Sequence, residues 1–171
     1  MVQLYCGDGK GKTTAATGAA VRAAGSNIPV LFVQFLKDDS SGEISSLKKL
    51  PLITVLHSEC FYGFVSGMSE EEKEDTRRAY SGMLDRVDAY LQANQSCVVI
   101  LDEVIHAVNY KLVDIGRLRD ILKKSNETVE IILTGRNPSE DIVELADYYT
   151  EFKKLKHVYD RGIMARKGIE Y

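Results

Sequence analysis

The chain has 171 residues, 44% of them hydrophobic and 27% charged, with a formal net charge of −3 at pH 7. This length and composition are typical of one soluble globular domain, and we expect residues 1–171 to form it. The weakly acidic balance argues against a nucleic-acid-binding face, and no apolar run is long enough to span a membrane. Because the three cysteines form no C-x-x-C pair and no charged-then-apolar leader precedes the first strand, we expect a cytoplasmic protein.

Apolar strands alternate with helices along the chain. Strong strand patterns occur at 2–5, 30–35, 53–57, 97–101 and 129–134, and a sixth candidate strand covers 148–152. Helices are predicted between them, at 14–24, 43–50, from 69 onward, at 114–124 and at 139–146. This alternation predicts an α/β fold with a mostly parallel sheet of five to six strands and helices on both faces.

Two local signals predict where helices begin and end. Ser69, followed three residues later by Glu72, predicts a capping box at the start of the longest helix. Gly25 predicts a left-handed cap at the end of the first helix.

A glycine-rich segment, CGDGKGKTT at 6–14, directly follows the first strand. Glycines let the backbone N–H groups turn inward toward phosphate oxygens, and the following helix adds its positive end. Lys12 would then reach the outer phosphates, and the Thr13 hydroxyl would bind Mg²⁺. The standard G-x-x-x-x-G-K-[ST] spacing places its first glycine where Cys6 stands, so the loop that begins at Gly7 is one residue short. The segment predicts a phosphate-binding loop that holds a triphosphate in an unusual pose.

Two later strands also end in polar residues, which would meet the loop at the carboxyl edge of the sheet. Asp102 and Glu103 resemble the metal-side acids of a phosphate loop, and the sequence leaves open which of them binds Mg²⁺. Arg136 could clamp a phosphate or form a surface salt bridge. Phe61 and Phe64 lie in an aromatic loop that could pack in the core or cover a flat, apolar ligand.

The chain resembles the P-loop ATP:corrinoid adenosyltransferases over almost its whole length. The matching residues are the shortened loop at 7–16, blocks at 33–37, 101–103, 133–136, 146–147 and 156–157, and the ending 162–171. The shortened loop combined with the Thr-Gly-Arg and Lys-His blocks is specific, because ordinary NTPases do not share this set. The resemblance implies a P-loop NTPase-like fold. It also implies that cobalt(I) of a reduced corrinoid attacks the ribose C5′ of ATP, which displaces triphosphate and forms adenosylcobalamin.

The resemblance also implies roles for individual residues. Catalytic roles are implied for Lys12, Glu103 and Arg136, and metal binding for Thr13, Asp102 and Glu103. ATP-binding roles are implied for Gly7, Asp8, Gly9, Lys10, Gly11, Lys12, Thr13, Thr14 and Arg22. Corrinoid contacts are implied for two aromatic residues of the loop, Phe61 and Phe64. Phe61 matches a family aromatic that displaces the lower axial ligand, and Phe64 follows Gly63, which stands where the family has a tryptophan.

Partners are implied in the same way. The resemblance suggests Mg²⁺ with ATP as co-substrate, a corrinoid substrate, a homodimer, and a flavoprotein or other reductase as electron donor. It suggests no nucleic-acid or membrane partner.

Two other functions fit the same residues. A small-molecule kinase or ATPase would use Lys12, Thr13, Asp102 and Glu103 to transfer the γ-phosphoryl group, although the sequence lacks an arginine-rich lid. A nucleotide-switched binding module would use the loop at 61–64 as an effector surface. The transferase would release triphosphate and the kinase or ATPase would form ADP, whereas the switch would bind ATP with slow or absent turnover.

Overall fold

The computed structural model describes residues 1–38 and 40–170. Its strands are β1 (Val2–Cys6), β2 (Val30–Gln34), β3 (Ile53–His57), β4 (Cys97–Asp102), β5 (Val129–Gly135) and β6 (Tyr148–Glu151). They form one sheet in the order β3-β2-β4-β5-β1-β6, and every neighbouring pair is parallel. The predicted parallel α/β fold is therefore confirmed, and the sixth candidate strand is present.

The helices in the described ranges are α1 (Lys12–Gly25), α2 (Gly42–Leu47), α3 (Glu70–Ala93), α4 (Val104–Asn109), α5 (Ile115–Leu122) and α6 (Glu140–Val143). Short 3-10 turns occupy Val65–Gly67 and Val158–Arg161. Sequence reasoning missed α4, because six residues are too few to show a helical period and they directly follow an apolar strand. No helix of the described ranges combines the length and apolarity that crossing a membrane requires.

The predicted start of α3 is confirmed, and the predicted cap at the end of α1 is wrong. The Ser69 hydroxyl accepts a hydrogen bond from Glu72 N at 3.2 Å, and the Glu72 carboxylate accepts one from Ser69 N at 2.7 Å, which confirms the capping box. Gly25 lies inside α1, and the left-handed residue is Asn27, with φ 60°. The N–H groups of Asn27 and Ile28 bond back to the last turn of α1, as in a Schellman motif, and asparagine tolerates this conformation.

Helices cover both faces of the sheet, as predicted. One face packs against α1 and α2, and the other packs against α3, α4, α5 and α6. The side chains that α1 buries against the sheet are small, namely Ala16, Ala20 and Ala23. Because these side chains are short, α1 lies close over the central strands.

The strand order decides which loops can meet. β1 lies between β5 and β6, and Cys6 at its end pairs with Gly135. β4 lies on the other side of β5, with Leu101 opposite Leu133. The carboxyl ends of β1, β4 and β5 therefore meet at one edge of the sheet, where ligands of such folds bind.

Candidate nucleotide and metal site

The glycine-rich loop between β1 and α1 is held by the segment that follows β6. Phe152 N donates to Cys6 O at 2.7 Å, and Gly9 N donates to Phe152 O at 2.5 Å. A Cβ on Gly7 or on Gly9 would lie 2.6 Å from that same carbonyl oxygen. Gly7 and Gly11 also have φ of 111° and 113°, which glycine adopts without strain. The loop thus needs glycine both for its curl and for its contact with Phe152.

Lys12 lies under this loop, 8% exposed. Its ammonium donates to Gly7 O at 2.7 Å and to Gly9 O at 2.9 Å. Burial and the neighbouring Arg136 guanidinium lower the pKa of Lys12. The ammonium is therefore held by the same backbone that would surround the phosphates.

Asp102 is the centre of a hydrogen-bond network that joins β4 to α1, to β5 and to the loop after β2, and its side chain is 0% exposed. Its Oδ1 accepts from the Thr13 hydroxyl at 2.9 Å and from the Thr134 hydroxyl at 2.7 Å. Its Oδ2 accepts from the Lys37 ammonium at 3.0 Å. That ammonium also donates to Thr13 Oγ1, at 3.2 Å.

Sequence reasoning had placed Lys37 in a polar loop without a role. Burial lowers the pKa of Lys37, but the carboxylates of Asp102 and Glu103 outweigh burial and raise the pKa above its ordinary value. Two signals were available: Lys37 ends the family-matched block 33–37, and it is the first charged residue after the strand that neighbours β4.

Glu103, the neighbour of Asp102 in sequence, has a left-handed backbone, with φ 62°. Its N–H donates to the Thr134 hydroxyl at 2.8 Å, and its carboxylate bonds to His106 Nδ1. Burial raises the pKa of Glu103, but the His106 hydrogen bond and the nearby Lys37 charge outweigh it, so the pKa is lowered. The two acids that the sequence could not distinguish thus occupy different surroundings.

Glu103 and Arg136 line a cavity of about 160 Å³ around the glycine-rich loop. Arg136 Nη1 lies 3.5 Å from Asp8 Oδ1, so the guanidinium faces the loop. Gly135 precedes it with φ 150°, and a Cβ there would lie 2.5 Å from Ile105 Cβ in α4. The close packing of α4 on β5 therefore helps to fix the backbone position of Arg136.

The C-terminal segment lies against the same loop, which sequence reasoning did not foresee. Lys10 Nζ lies 2.9 Å from Glu170 Oε1, and Arg166 donates to the same carboxylate. Hydrogen bonds from Arg166 and Lys10 hold the pKa of Glu170 far below its usual range. Ile169 and His157 complete the lining of the small cavity. The signals in the sequence were the block at 156–157 and the ending 162–171, which match the family.

A second cavity, of about 890 Å³, adjoins the first. Thr13 and Thr14 line both cavities. Phe61 and Phe64 also line the larger one, and they are 45% and 90% exposed. The structure thus brings the predicted corrinoid-binding aromatics to the cavity that begins at the phosphate loop.

Arg22 is the predicted ATP-binding residue that the structure does not bring to the loop. It follows Lys12 by ten residues on α1, which is about 15 Å of helix. It is exposed and lines a different cavity, with Gln3 and Glu130. Among residues 1–38 and 40–170, Arg22 lines that separate cavity and not the one around the loop.

The donors around the loop suit a hard divalent cation. Thr13, Asp102 and Glu103 offer oxygen atoms, which Mg²⁺ prefers. The Lys37 ammonium contacts oxygens of both Thr13 and Asp102, so these two oxygens are close enough together to bind a single cation. Across 1–38 and 40–170, no three His, Cys, Asp or Glu side chains are grouped to hold a metal by themselves. Mg²⁺ usually needs only one or two carboxylates, because substrate phosphates supply further oxygens.

A family model described as "ATP:corrinoid adenosyltransferase BtuR/CobO/CobP" matches residues 1–171. The chain belongs to this family. It is 31% identical over 174 residues to the corrinoid adenosyltransferase of Escherichia coli K12, covering 100% of this chain and 85% of that protein. It is 30% identical over 176 residues to the corrinoid adenosyltransferase of a Sinorhizobium species, covering 100% of this chain and 80% of that protein. These matches confirm the resemblance seen in the sequence and the predicted enzyme class, an ATP:corrinoid adenosyltransferase.

Solved structures support the fold of this adenosyltransferase family member. The cytoplasmic domain of EssC superposes with a TM-score of 0.54 at 12% identity, over 97% of this chain and 33% of that one. EssC ATPases 2 and 3 from Geobacillus thermodenitrificans give a TM-score of 0.55 at 11% identity, over 98% and 34%. The chain spans about a third of each of those proteins, and at this identity the likeness concerns the fold alone.

Proposed function

We propose that residues 1–171 form one domain that transfers the 5′-deoxyadenosyl group of ATP to cobalt(I) of a corrinoid. The electron pair of cobalt(I) forms the bond to C5′, and the C5′–O bond breaks with its electron pair on the departing triphosphate. The observation that carries the proposal is the junction of the two cavities at Thr13 and Thr14. One cavity is lined by the phosphate loop and the other by exposed aromatics, so ATP and a large flat substrate can meet there.

The loop supports this reaction through its positive charge. Lys12 lies beneath the loop, and Arg136 and Lys10 line the same small cavity. The N-terminus of α1 adds backbone N–H groups. Negative charge accumulates on the triphosphate as the C5′–O bond breaks, and these groups stabilise it there. The nucleophile is an electron-rich metal ion of the substrate, so the step needs no general base.

Thr13, Asp102 and Glu103 would hold Mg²⁺ beside the triphosphate. When bound, Mg²⁺ supplies Lewis-acid stabilisation of the triphosphate charge. Asp102 is buried and orients the Thr13 hydroxyl, whereas Glu103 lines the loop cavity, which suits a contact through a water molecule. We assign Glu103 to the metal, and Lys12 and Arg136 to the phosphates.

Phe61 and Phe64 would contact the corrinoid. Phe64 is 90% exposed and gains almost nothing from core packing, so an apolar face of a ligand is a favourable partner for it. Three further points of the proposal rest on the family resemblance. They are displacement of the lower axial ligand by Phe61, a homodimer, and an external reductase as electron donor.

The test is the phosphorus product. The protein is mixed anaerobically with Mg-ATP and chemically reduced corrinoid, and a phosphorus NMR spectrum is recorded. Triphosphate together with a light-sensitive cobalt–carbon product supports the proposal. ADP and phosphate would favour the kinase or ATPase, and ATP binding without turnover would favour the nucleotide-switched module.

A matched pair of lysine variants tests the loop in the same assay. Lys12→Met should lower turnover by about 100-fold or more, the scale of losing a key charge-stabilising donor. Lys49→Met removes the same charge from an exposed residue that lines neither cavity, and it should leave turnover unchanged. Full activity of Lys12→Met would refute the role of the loop.

A further inference from the structure

The Lys37 ammonium lies between the two oxygen donors, Thr13 and Asp102, that we assign to Mg²⁺. It is 3.0 Å from Asp102 Oδ2 and 3.2 Å from Thr13 Oγ1. The Asp102 carboxylate is 0% exposed, and a buried carboxylate needs both hydrogen bonds and a nearby positive charge. Thr13 and Thr134 provide the hydrogen bonds, and Lys37 provides the charge.

The backbone around Lys37 is fixed so that this contact forms. Phe35 N donates to Asp102 O at 3.0 Å, which holds the chain against β4. The next residue, Leu36, has φ 57°, a conformation that leucine rarely adopts and that the surroundings must enforce. The buried Tyr80 hydroxyl of α3 accepts a hydrogen bond from Leu36 N at 2.8 Å. A strained turn stabilised from two sides therefore directs Lys37 to Asp102.

The Lys37 side chain also borders open space. It is 31% exposed and lines the larger cavity next to Thr13 and Thr14. Its flexible four-carbon stem lets the ammonium turn toward the phosphate loop without a change in the backbone.

We propose that Lys37 and Mg²⁺ compete for Thr13 and Asp102, and that Lys37 passes to the triphosphate when Mg-ATP binds. The inference rests on the proposed function, because it needs Mg-ATP as the substrate. Two cations on the same oxygens repel each other strongly at such distances. A metal ion alone is therefore excluded, whereas a metal ion with triphosphate is admitted, since the triphosphate supplies enough negative charge for both cations. Lys37 is then a metal-excluding residue before binding and a ligand of the leaving group afterwards.

The experiment measures two affinities that should change in opposite directions. Mn²⁺ stands in for Mg²⁺ because it takes the same octahedral oxygen ligands and is visible by electron paramagnetic resonance. In Lys37→Met without nucleotide, the Mn²⁺ affinity should rise at least about tenfold, because the repulsion between the ammonium and the metal ion is removed. By calorimetry, the affinity for inorganic triphosphate with Mg²⁺ should fall about tenfold, since a charge-assisted contact is lost.

Three further variants locate the effect. Lys49→Met loses the same charge elsewhere and should change neither affinity. Lys37→Met combined with Asp102→Asn should lose the gained Mn²⁺ binding, because the carboxylate is gone. Tyr80→Phe removes the hydroxyl that holds Leu36. Like Lys37→Met, it should raise the Mn²⁺ affinity and lower the triphosphate affinity, but by smaller factors. It keeps the buried ring, so it still tests the idea if Lys37→Met does not fold.

Mn²⁺ affinity that is unchanged or weaker in both Lys37→Met and Tyr80→Phe would overturn the inference. So would loss of both affinities together, which is the result of a purely structural role. The NMR assay on the native protein separates this failure from a failure of the proposed function. Triphosphate release by the native protein without tighter Mn²⁺ binding in the variants refutes only the competition. Tighter Mn²⁺ binding without triphosphate release refutes only the transfer reaction.

Discussion

The Thr13 hydroxyl donates a hydrogen bond of 2.9 Å to the buried carboxylate of Asp102, across 89 residues of sequence. This bond ties the start of α1, beside the phosphate loop, to the end of β4. Thr134 on β5 donates to the same oxygen at 2.7 Å. Because one buried carboxylate joins three elements of the site, changes around it should affect stability and nucleotide binding together.

Thr134→Val tests this network. Valine keeps the shape but removes the donor to Asp102 and the acceptor for Glu103 N, so the free energy of unfolding should fall by about 1–3 kcal/mol. Denaturant unfolding measures the change. Thr54→Val, on an exposed position of β3, is the control and should stay within about 0.5 kcal/mol of the native protein. Equal stability of the two variants would contradict the importance of the network.

Gly9→Ala tests the contact between the loop and Phe152. The new Cβ would lie 2.6 Å from Phe152 O, a backbone atom, so the loop or the segment after β6 must move. We expect a loss of about 1–3 kcal/mol in stability and weaker ATP binding. Gly18→Ala in α1 meets nothing within 4 Å and should instead stabilise the protein by about 0.5–1 kcal/mol. Thermal unfolding and ATP titration of both variants decide the point, and similar behaviour of the two would count against it.

Glu103→Gln tests the electrostatics of the metal-side acid. Because the folded-state pKa of Glu103 is lowered, its charge stabilises the fold above the ordinary glutamate pKa of about 4.3. That stabilisation disappears as the pH falls through the lower folded-state value. The difference in unfolding free energy between the native protein and the variant should therefore shrink as the pH falls from the ordinary glutamate pKa through the lower folded-state value. If the difference in unfolding free energy grew toward acid pH, the pKa of Glu103 would be raised by folding and not lowered.

Phe61→Ala and Phe64→Ala test the aromatic loop. Each should leave ATP affinity unchanged but slow the reaction that starts from a cobalt(II) corrinoid, with an added one-electron reductant to form cobalt(I), by about tenfold, the scale of one aromatic contact. Reaction with cobalt(I) should be affected less by Phe61→Ala, because no axial ligand then has to be displaced. Tyr110→Ala, an exposed aromatic that lines neither cavity, is the control. Equal slowing with cobalt(I) and cobalt(II) would remove the ligand-displacement role.

Arg22→Ala separates the family resemblance from the geometry of this chain. Arg22 lies about 15 Å along α1 from Lys12, so ATP affinity should change by less than about twofold. A loss of about tenfold or more would mean that Arg22 contacts ATP held by another copy of the chain. Equilibrium titration with ATP gives the answer.

Local patterns were enough to predict much of this protein. The apolar strands, the capping box at Ser69 and the curl of the glycine-rich loop all arise from neighbours in sequence. Burial on both faces requires continuous apolar runs, and a phosphate loop requires glycine followed by Lys12 and Thr13. The same reasoning failed at α4, which is too short to show a period, and at the end of α1, where Asn27 rather than Gly25 is left-handed.

Only the tertiary structure decided how the site is assembled. Asp102 and Glu103 are adjacent in sequence, yet the Asp102 carboxylate is buried against Thr13 and Thr134, whereas Glu103 lines the cavity around the loop. Lys37 reaches Asp102, and Glu170 reaches Lys10, across 65 and 160 residues. Such contacts depend on strand order and on the turns after the strands. Sequence patterns report burial and backbone conformation residue by residue, whereas the meeting of distant charges is set by how the whole chain crosses over the sheet.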